Sequence, residues 1–328
     1  MKKTAKAHSN IALIKYWGKQ DEGLRLPMNG SVAIALNEAY TLTTVEFDVK
    51  YPEDEVELLG EGFEEDEKVK VKKHLDRVRK LAGIAIKARV VSKNNFPKAA
   101  GMASSASGFG ALSVAAAAAA GIKLTERELS VLARNGSGSA SRSIPGGVSV
   151  WYTGDKDEES YAERIDFPED WKIKILLVMA EDTSVKKVST TEGMAMTKAT
   201  SPYYAMAVEE AEKNIKRLKQ AMAGGDWRGF GKVVEDECYR LHSLCMTTRP
   251  NLLYWRGVTV DVFQAIYGLR EEGIEAFFTV DAGPHVHIIV KDQDVEKVTE
   301  KLANVGGIKK VIECGVGPGA SLIEDHLF

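Results

Sequence analysis

Residues Asn10–Lys19 read NIALIKYWGK. An apolar run of strand length ends in two cations, two large aromatics and a glycine. Lys15 and Lys19 lie four apart, and a core strand has little use for two ammonium groups in so short a space, since buried lysines are rare unless paired. Two readings fit these residues alone. In one, the strand end holds a small molecule with several negative charges; in the other, the strand runs out into a solvated basic turn.

The second informative stretch, Ser92–Gly110, reads SKNNFPKAAGMASSASGFG. A polar turn follows the apolar strand around Ala88–Val91, and Pro97 stops that strand because proline cannot donate to a ladder. A loop of Gly, Ala and Ser then leads into ALSVAAAAAA, a strong helix former. A small-residue loop opening a helix is suited to an anion: backbone N–H groups point outward and the helix dipole favours negative charge. Ser104 and Ser105 add hydroxyls for a phosphate or for Mg²⁺. No Gly-Lys-Ser/Thr follows at the Walker spacing, and the loop does not read GxGxxG. The plainer alternative is a serine-rich cap on an alanine-rich core helix.

Working outward, strands are expected at 4–18, 30–47, 84–91, Gly146–Tyr152 and Trp171–Ala180. Ala276–Val280 and Val286–Val290 read as a strand–turn–strand around DAGP, and Val311–Glu313 as a short strand. Glu53–Lys73 is densely charged and reads as a solvated strand turn leading into a helix His74–Ala82. Further helices are expected at 104–120, 126–134, Pro202–Met222, 226–245, Val258–Glu272 and Val295–Ala303. In the Pro202–Met222 helix, Tyr204, Val208, Ala211, Ile215 and Leu218 recur three or four apart. Strands mixed with runs of helix give an α+β class.

The 328 residues suffice for two lobes, taken as 1–183 and 184–328. Lys+Arg total 44 against Asp+Glu 47, a net charge of -3, which points to neither nucleic acid nor a membrane surface as partner. No stretch reaches the roughly 18 apolar residues of a spanning helix. The N-terminal MKKTAKAHSN lacks the apolar segment of a signal peptide. Three cysteines without a CxxC pair argue against a disulfide framework or a zinc site. A cytoplasmic location is expected.

PKAAGMASSASG resembles the phosphate loop of the GHMP kinase superfamily, the small-molecule kinases related to galactokinase and homoserine kinase. NIALIKYWGK, LPMNGSVAIAL (Leu26–Leu36), SGSASRSIPGG (Ser137–Gly147), STTEGM (Ser189–Met194) and FFTVDAGP (Phe277–Pro284) narrow the resemblance. Together, and in this order, they resemble mevalonate diphosphate decarboxylase and its relatives acting on phosphorylated mevalonate. The resemblance implies a GHMP kinase-type two-lobe α+β fold, with a ribosomal-protein-like N-terminal lobe and a ferredoxin-like C-terminal lobe. The active site would lie in the cleft between them. It also implies ATP and Mg²⁺, a phosphorylated mevalonate as substrate, and a homodimer.

The resemblance assigns catalytic roles to Asp281, Lys15 and Arg142. On its own, Asp281 at a Gly-Pro turn could equally be capping a loop; by resemblance it orients or deprotonates the C3 hydroxyl of mevalonate. Arg142 would grip substrate oxygens through two N–H groups. Tyr16, Lys19, Ser137, Ser139 and Arg142 would bind substrate. Ser92, Asn94, Gly101, Ala103, Ser104 and Ser105 would bind the nucleotide, with the Ser105 hydroxyl also on Mg²⁺. Asn10 and Asn29 are weaker candidates, and Asn29 reads equally as a turn residue. The family commonly has Asn after DAGP, where this chain has His285; His285 and His287 share a strand face and are read as supporting residues.

The implied reaction has two stages. ATP phosphorylates the tertiary C3 hydroxyl; the new phosphate then leaves as the neighbouring carboxylate loses CO₂ and the alkene forms. Mevalonate 5-diphosphate, giving isopentenyl diphosphate, is the leading substrate. Mevalonate 5-phosphate, giving isopentenyl phosphate, is the alternative, and a non-catalytic sensor of the same fold is a third.

Overall fold

The computed structural model describes residues 1–60, 62, 64–96, 104–182 and 188–328. The first half runs β1 (Lys2–Ile14), β2 (Lys19–Asp21), β3 (Leu26–Pro27), β4 (Ser31–Phe47), β5 (Glu55–Leu58), α1 (Glu65–Ala82), β6 (Ala88–Asn94), α2 (Ser104–Ala119), α3 (Glu126–Gly136), β7 (Val148–Trp151) and β8 (Ala162–Ile165). The second runs β9 (Ile173–Ala180), α4 (Thr190–Thr200), α5 (Tyr204–Ala223), α6 (Trp227–Thr247), α7 (Gly257–Glu271), β10 (Phe277–Val280), β11 (Val286–Lys291), α8 (Val295–Leu302), β12 (Ile308–Gly315) and β13 (Ser321–Ile323).

Among the described residues, seven strands form the first sheet, in the order β13-β1-β4-β6-β5, with β7 on β4 and β8 on β7. Four form the second, in the order β10-β11-β9-β12, and β2 pairs with β3 as a separate ribbon. β9, placed before the expected division at 183/184, is hydrogen-bonded to β11 and β12 and so belongs to the second sheet. Its apolar run IKILLVMA is buried on both faces, as an inner strand must be. β13 returns to the first sheet beside β1.

α1 begins at Glu65, not at His74. Glu65, Asp66 and Glu67 load its first turn with negative charge, Glu64 and Glu67 form a capping box, and Val71, His74, Leu75 and Val78 make the buried stripe. The charge that reads as a solvated turn is thus the exposed face and start of a helix. β5 precedes it, parallel to β6. α4, β8 and β13 were not expected from the sequence, and β12 extends well beyond Val311–Glu313 in both directions.

The two sheets share a core. Ile11, Leu13 and Ile34 of the first pack in one cluster with Ile175, Leu177 and Ile289 of the second and with Ile215 and Phe230 of α5 and α6. Phe230 and Phe277 are essentially buried, and each such side chain stabilises the fold by about 1.5–3 kcal/mol. This shared core brings the end of β1 against the turn between β10 and β11.

Candidate active site

Lys15 follows the last residue of β1, where the ladder to β4 ends at Ile14↔Val32. Its side chain is 1% exposed. Nζ donates to Asp281 Oδ1 at 2.7 Å and to the Ala12 carbonyl at 2.7 Å. Asp281 sits on the turn joining β10 to β11, whose register closes at Val280↔Val286. His242 on α6 donates from Nε2 to the Val280 carbonyl at 3.2 Å, fixing the peptide just before Asp281. Burial opposes the charge of Asp281, but Lys15, His287 and Arg142 outweigh it and hold the carboxyl below its usual range. The carboxylate is 36% exposed, so it is both anchored and open to a ligand.

Arg142 lies on a 3₁₀ turn, Gly138–Ser143. Nη1 donates to Ser31 Oγ at 2.6 Å, while Nε is buried without a partner. Burial pushes its pKa down to about 10, opposed by Asp281 and Tyr16, so it stays a cation at neutral pH. The Tyr16 ring packs edge-on against Trp151 with centroids 4.8 Å apart. Burial raises the Tyr16 pKa, which keeps the hydroxyl a donor. Gly18 has φ +117, and a Cβ there would fall 1.7 Å from Tyr204 Oη, which donates to the Trp17 carbonyl at 2.9 Å. Only glycine lets the chain turn here.

Lys19 is buried, but its ammonium donates to Glu22 Oε2 at 2.5 Å, and Lys198 of α4 donates to its carbonyl at 2.7 Å. Ser137 Oγ donates to Ser105 Oγ at 3.2 Å and lies 3.3 Å from Ser139 Oγ. The serine motif expected to bind substrate therefore meets the helix start expected to bind nucleotide. Asn10 Nδ2 donates to the Ser139 carbonyl at 3.1 Å and to Ser143 Oγ at 2.8 Å, supporting the same turn. His285 Nδ1 accepts from the Ala180 N–H at 3.1 Å. His287 is 1% exposed, and burial drives its pKa down to about 4.

A pocket joins Ser92, Asn94, Ser104 and Ser105. Leu58, Val71, Val90, Phe109 and Leu112 line its apolar part. Asn94 Oδ1 accepts from Thr41 Oγ1 at 2.8 Å, and Ser92 Oγ lies 2.9 Å from Thr43 Oγ1. An apolar part beside hydroxyls at a helix N-terminus fits a nucleotide, base on one side and phosphates on the other. Gly101 and Ala103 lie outside the described residues. Among the described residues, no group of three His, Cys, Asp or Glu converges on a metal position. Mg²⁺ is commonly held through substrate phosphates with one or two protein oxygens; Ser105, expected to supply one, is exposed at the start of α2.

Sequence reasoning missed the residues that grip the Lys15 backbone. Glu237 of α6, 0% exposed, accepts the Lys15 N–H on Oε2 at 3.1 Å. Arg240 donates from Nη2 to the Lys15 carbonyl at 3.3 Å, and Asn29 Nδ2 donates to it at 2.9 Å. Asn29 is therefore more than a turn residue. The available signal was a carboxylate in the apolar stripe of α6, between Val234 and Leu241.

The family model of the diphosphomevalonate decarboxylase-like N-terminal domain matches residues 7–162. That of the mevalonate 5-diphosphate decarboxylase C-terminal domain matches residues 175–320. The phosphomevalonate decarboxylase of Haloferax volcanii is 33% identical over 326 residues, covering 99% of this chain and 98% of its own. The crystal structure of mevalonate diphosphate decarboxylase from Staphylococcus aureus superposes with a TM-score of 0.94 at 37% identity, covering 98% of each chain. A structure described as MDDEF in complex with MVAPP, AMPPCP and magnesium superposes at 0.93 with 38% identity, covering 99% of each. The fold is thus the GHMP kinase-type two-lobe fold, and the chain belongs to the diphosphomevalonate decarboxylase family.

Proposed function

We propose that the protein is an ATP-dependent decarboxylase that converts mevalonate 5-diphosphate to isopentenyl diphosphate. The observation that carries this reading is the Lys15–Asp281 pair at 2.7 Å, flanked by the buried Arg142 cation. The Ser137–Ser105 contact links this site to the nucleotide pocket.

Asp281 is held ionised and binds a proton weakly, so it is a poor base toward an alcohol. Its main task is to accept a hydrogen bond from the C3 hydroxyl and aim the oxygen at the γ-phosphorus. The transition state of phosphoryl transfer is loose, so the hydroxyl proton leaves late: as the new O–P bond forms and the bond to ADP breaks, the proton passes to the Asp281 carboxylate that already accepts its hydrogen bond. When bound, Mg²⁺ neutralises charge on the transferring phosphoryl group. In the second stage the C3–O bond breaks with its electron pair going to phosphate. The C1–C2 bond then supplies the electrons of the new double bond, releasing CO₂. Positive charge develops at C3, where the Asp281 carboxylate favours it. Arg142 holds the substrate's anionic oxygens, and Tyr16 donates its hydroxyl to the phosphate end.

Two observations favour the monophosphate as a second reading. Lys19, expected at the terminal phosphate, already has its ammonium on Glu22, and the Haloferax relative is named a phosphomevalonate decarboxylase. Measuring kcat/KM for both mevalonate phosphates at one magnesium concentration tests the proposal. Isopentenyl diphosphate as the faster product supports it; a higher value for the monophosphate replaces the substrate but keeps the chemistry. No release of CO₂ or ADP with either substrate overturns it.

The proposal includes a cytoplasmic homodimer. Cys238, Cys245 and Cys314 are free and buried, as suits a reducing compartment. Among the described residues, no helix is long and apolar enough to cross a membrane. Light scattering on the purified chain tests the dimer.

A further inference from the structure

We infer that Glu237, clamped by Arg240, is a positioning residue that sets where the Lys15 ammonium meets Asp281; the inference rests on the activity proposed above. β1 has no ladder partner after Ile14, so the peptide groups of Lys15 must find others, and they do so in a buried place. The partner of the N–H comes from 222 residues further on, in the lobe that carries Asp281. Glu237 Oε2 accepts that N–H and also Arg240 Nη2 at 2.6 Å; Oε1 accepts Arg240 Nε at 2.7 Å and Asn214 Nδ2 at 2.8 Å. Arg240 Nη1 in turn donates to the Ala207 carbonyl, tying the clamp to α5.

The geometry has a functional consequence. Both the N–H and the carbonyl of Lys15 are gripped by one carboxylate–guanidinium pair on α6. The same helix carries His242, which fixes the peptide before Asp281. α6 therefore places both members of the Lys15–Asp281 pair. A neutral amide at 237 keeps the volume but replaces one acceptor oxygen by a donor facing other donors, so the Lys15 peptide must shift. Chemistry that depends on aim loses ~10²-fold for a misplacement of ~1 Å.

The test uses Glu237→Gln in the full chain. A kcat lowered ~10–100-fold with KM for both substrates changed less than ~3-fold supports the inference, because substrate contacts are untouched. A second readout needs no turnover: the Asp281 carboxyl pKa followed by carbon-13 NMR. The charged and titratable groups facing that carboxylate are Lys15, Arg142, His287, His242 and Cys238. Of these, only Lys15 is gripped by Glu237, so the variant raises the Asp281 pKa if the ammonium withdraws. A wild-type kcat per folded molecule together with an unchanged Asp281 pKa, even with a lowered thermal midpoint, overturns it. Should Glu237→Gln not fold, Arg240→Lys decides by the same two readouts. If wild-type protein is inactive on both mevalonate phosphates, the proposed function fails, and the Asp281 titration still decides this inference separately.

Discussion

The Lys15 ammonium lies 2.7 Å from the Asp281 carboxylate, 266 residues away in sequence. The pair spans the two lobes, and the buried Arg142 guanidinium adds a second cation acting on the same carboxylate. Cation and anion fix each other: the ammonium keeps the carboxylate charged, and the carboxylate compensates a lysine that is otherwise removed from water.

Asp281→Asn keeps the shape of the turn but removes the charge. Product formation is expected to fall ~10²–10⁴-fold while ATP binding stays near wild type; the thermal midpoint drops as well, because the buried Lys15 ammonium loses its counter-ion. Steady-state turnover beside a nucleotide-binding titration checks this. Near-wild-type turnover excludes Asp281 from the reaction.

The pH dependence follows from the same pair. The Asp281 pKa is held below its ordinary value, so activity that needs its anion persists as pH falls and is lost only below the usual carboxylate range near ~4. Lys15→Met removes the principal cation, so the acid limb of kcat/KM moves to higher pH as the overall rate drops. A limb that stays in place in this variant shows that another group sets it.

Ser105→Ala removes the exposed hydroxyl at the start of α2 that accepts from Ser137. Turnover is expected to fall and the KM for ATP to rise, with little change in unfolding midpoint because the residue is exposed. A nucleotide complex with its triphosphate far from Ser105 removes the basis of this expectation.

Lys19→Ala tests the phosphate end. Each charge-assisted hydrogen bond to phosphate contributes about 1.5–3 kcal/mol. If Lys19 leaves Glu22 for a terminal phosphate, KM rises more for the diphosphate than for the monophosphate. Equal effects on both substrates show that the Lys19–Glu22 pair persists with ligand bound.

Acid should weaken the fold above the carboxylate range. Burial drives His74 down to about 3 and His242 and His287 down to about 4, against ~6.5 unfolded. Their contribution is full above pH ~6.5 and is lost as pH falls toward the folded values. Glu235, pushed up to about 7 by burial despite Arg270, acts in the opposite sense over part of this window. Three histidines against one carboxyl leave stability rising with pH. Urea midpoints at pH 5 and 7 should show this, and His74→Gln should flatten the dependence. Equal midpoints at both pH values contradict it.

Much of the site was legible because its residues stand out from their elements. Lys15 closes an apolar strand, Asp281 interrupts an apolar hairpin at a Gly-Pro turn, and Ser104 and Ser105 open an alanine helix. Local rules fixed those elements and the α+β class, because periodicity and helix propensity act over a few residues. The charged stretch before His74 misled for the same reason: charge marks an exposed face, and only packing of Val71, Leu75 and Val78 shows which backbone carries it.

Three things were left to the tertiary structure. β9 joined the second sheet because its neighbours β11 and β12 come later in the chain. Lys19 met Glu22, a choice among several nearby charges that no sequence spacing dictates. Glu237 and Arg240 reached the Lys15 backbone because β1 ends unpaired inside a shared core. The sequence by itself determined which residues are chemically able to act. Which of them meet, and in what geometry, was decided by long-range packing, where each buried polar group takes the partner that the folded chain brings within reach.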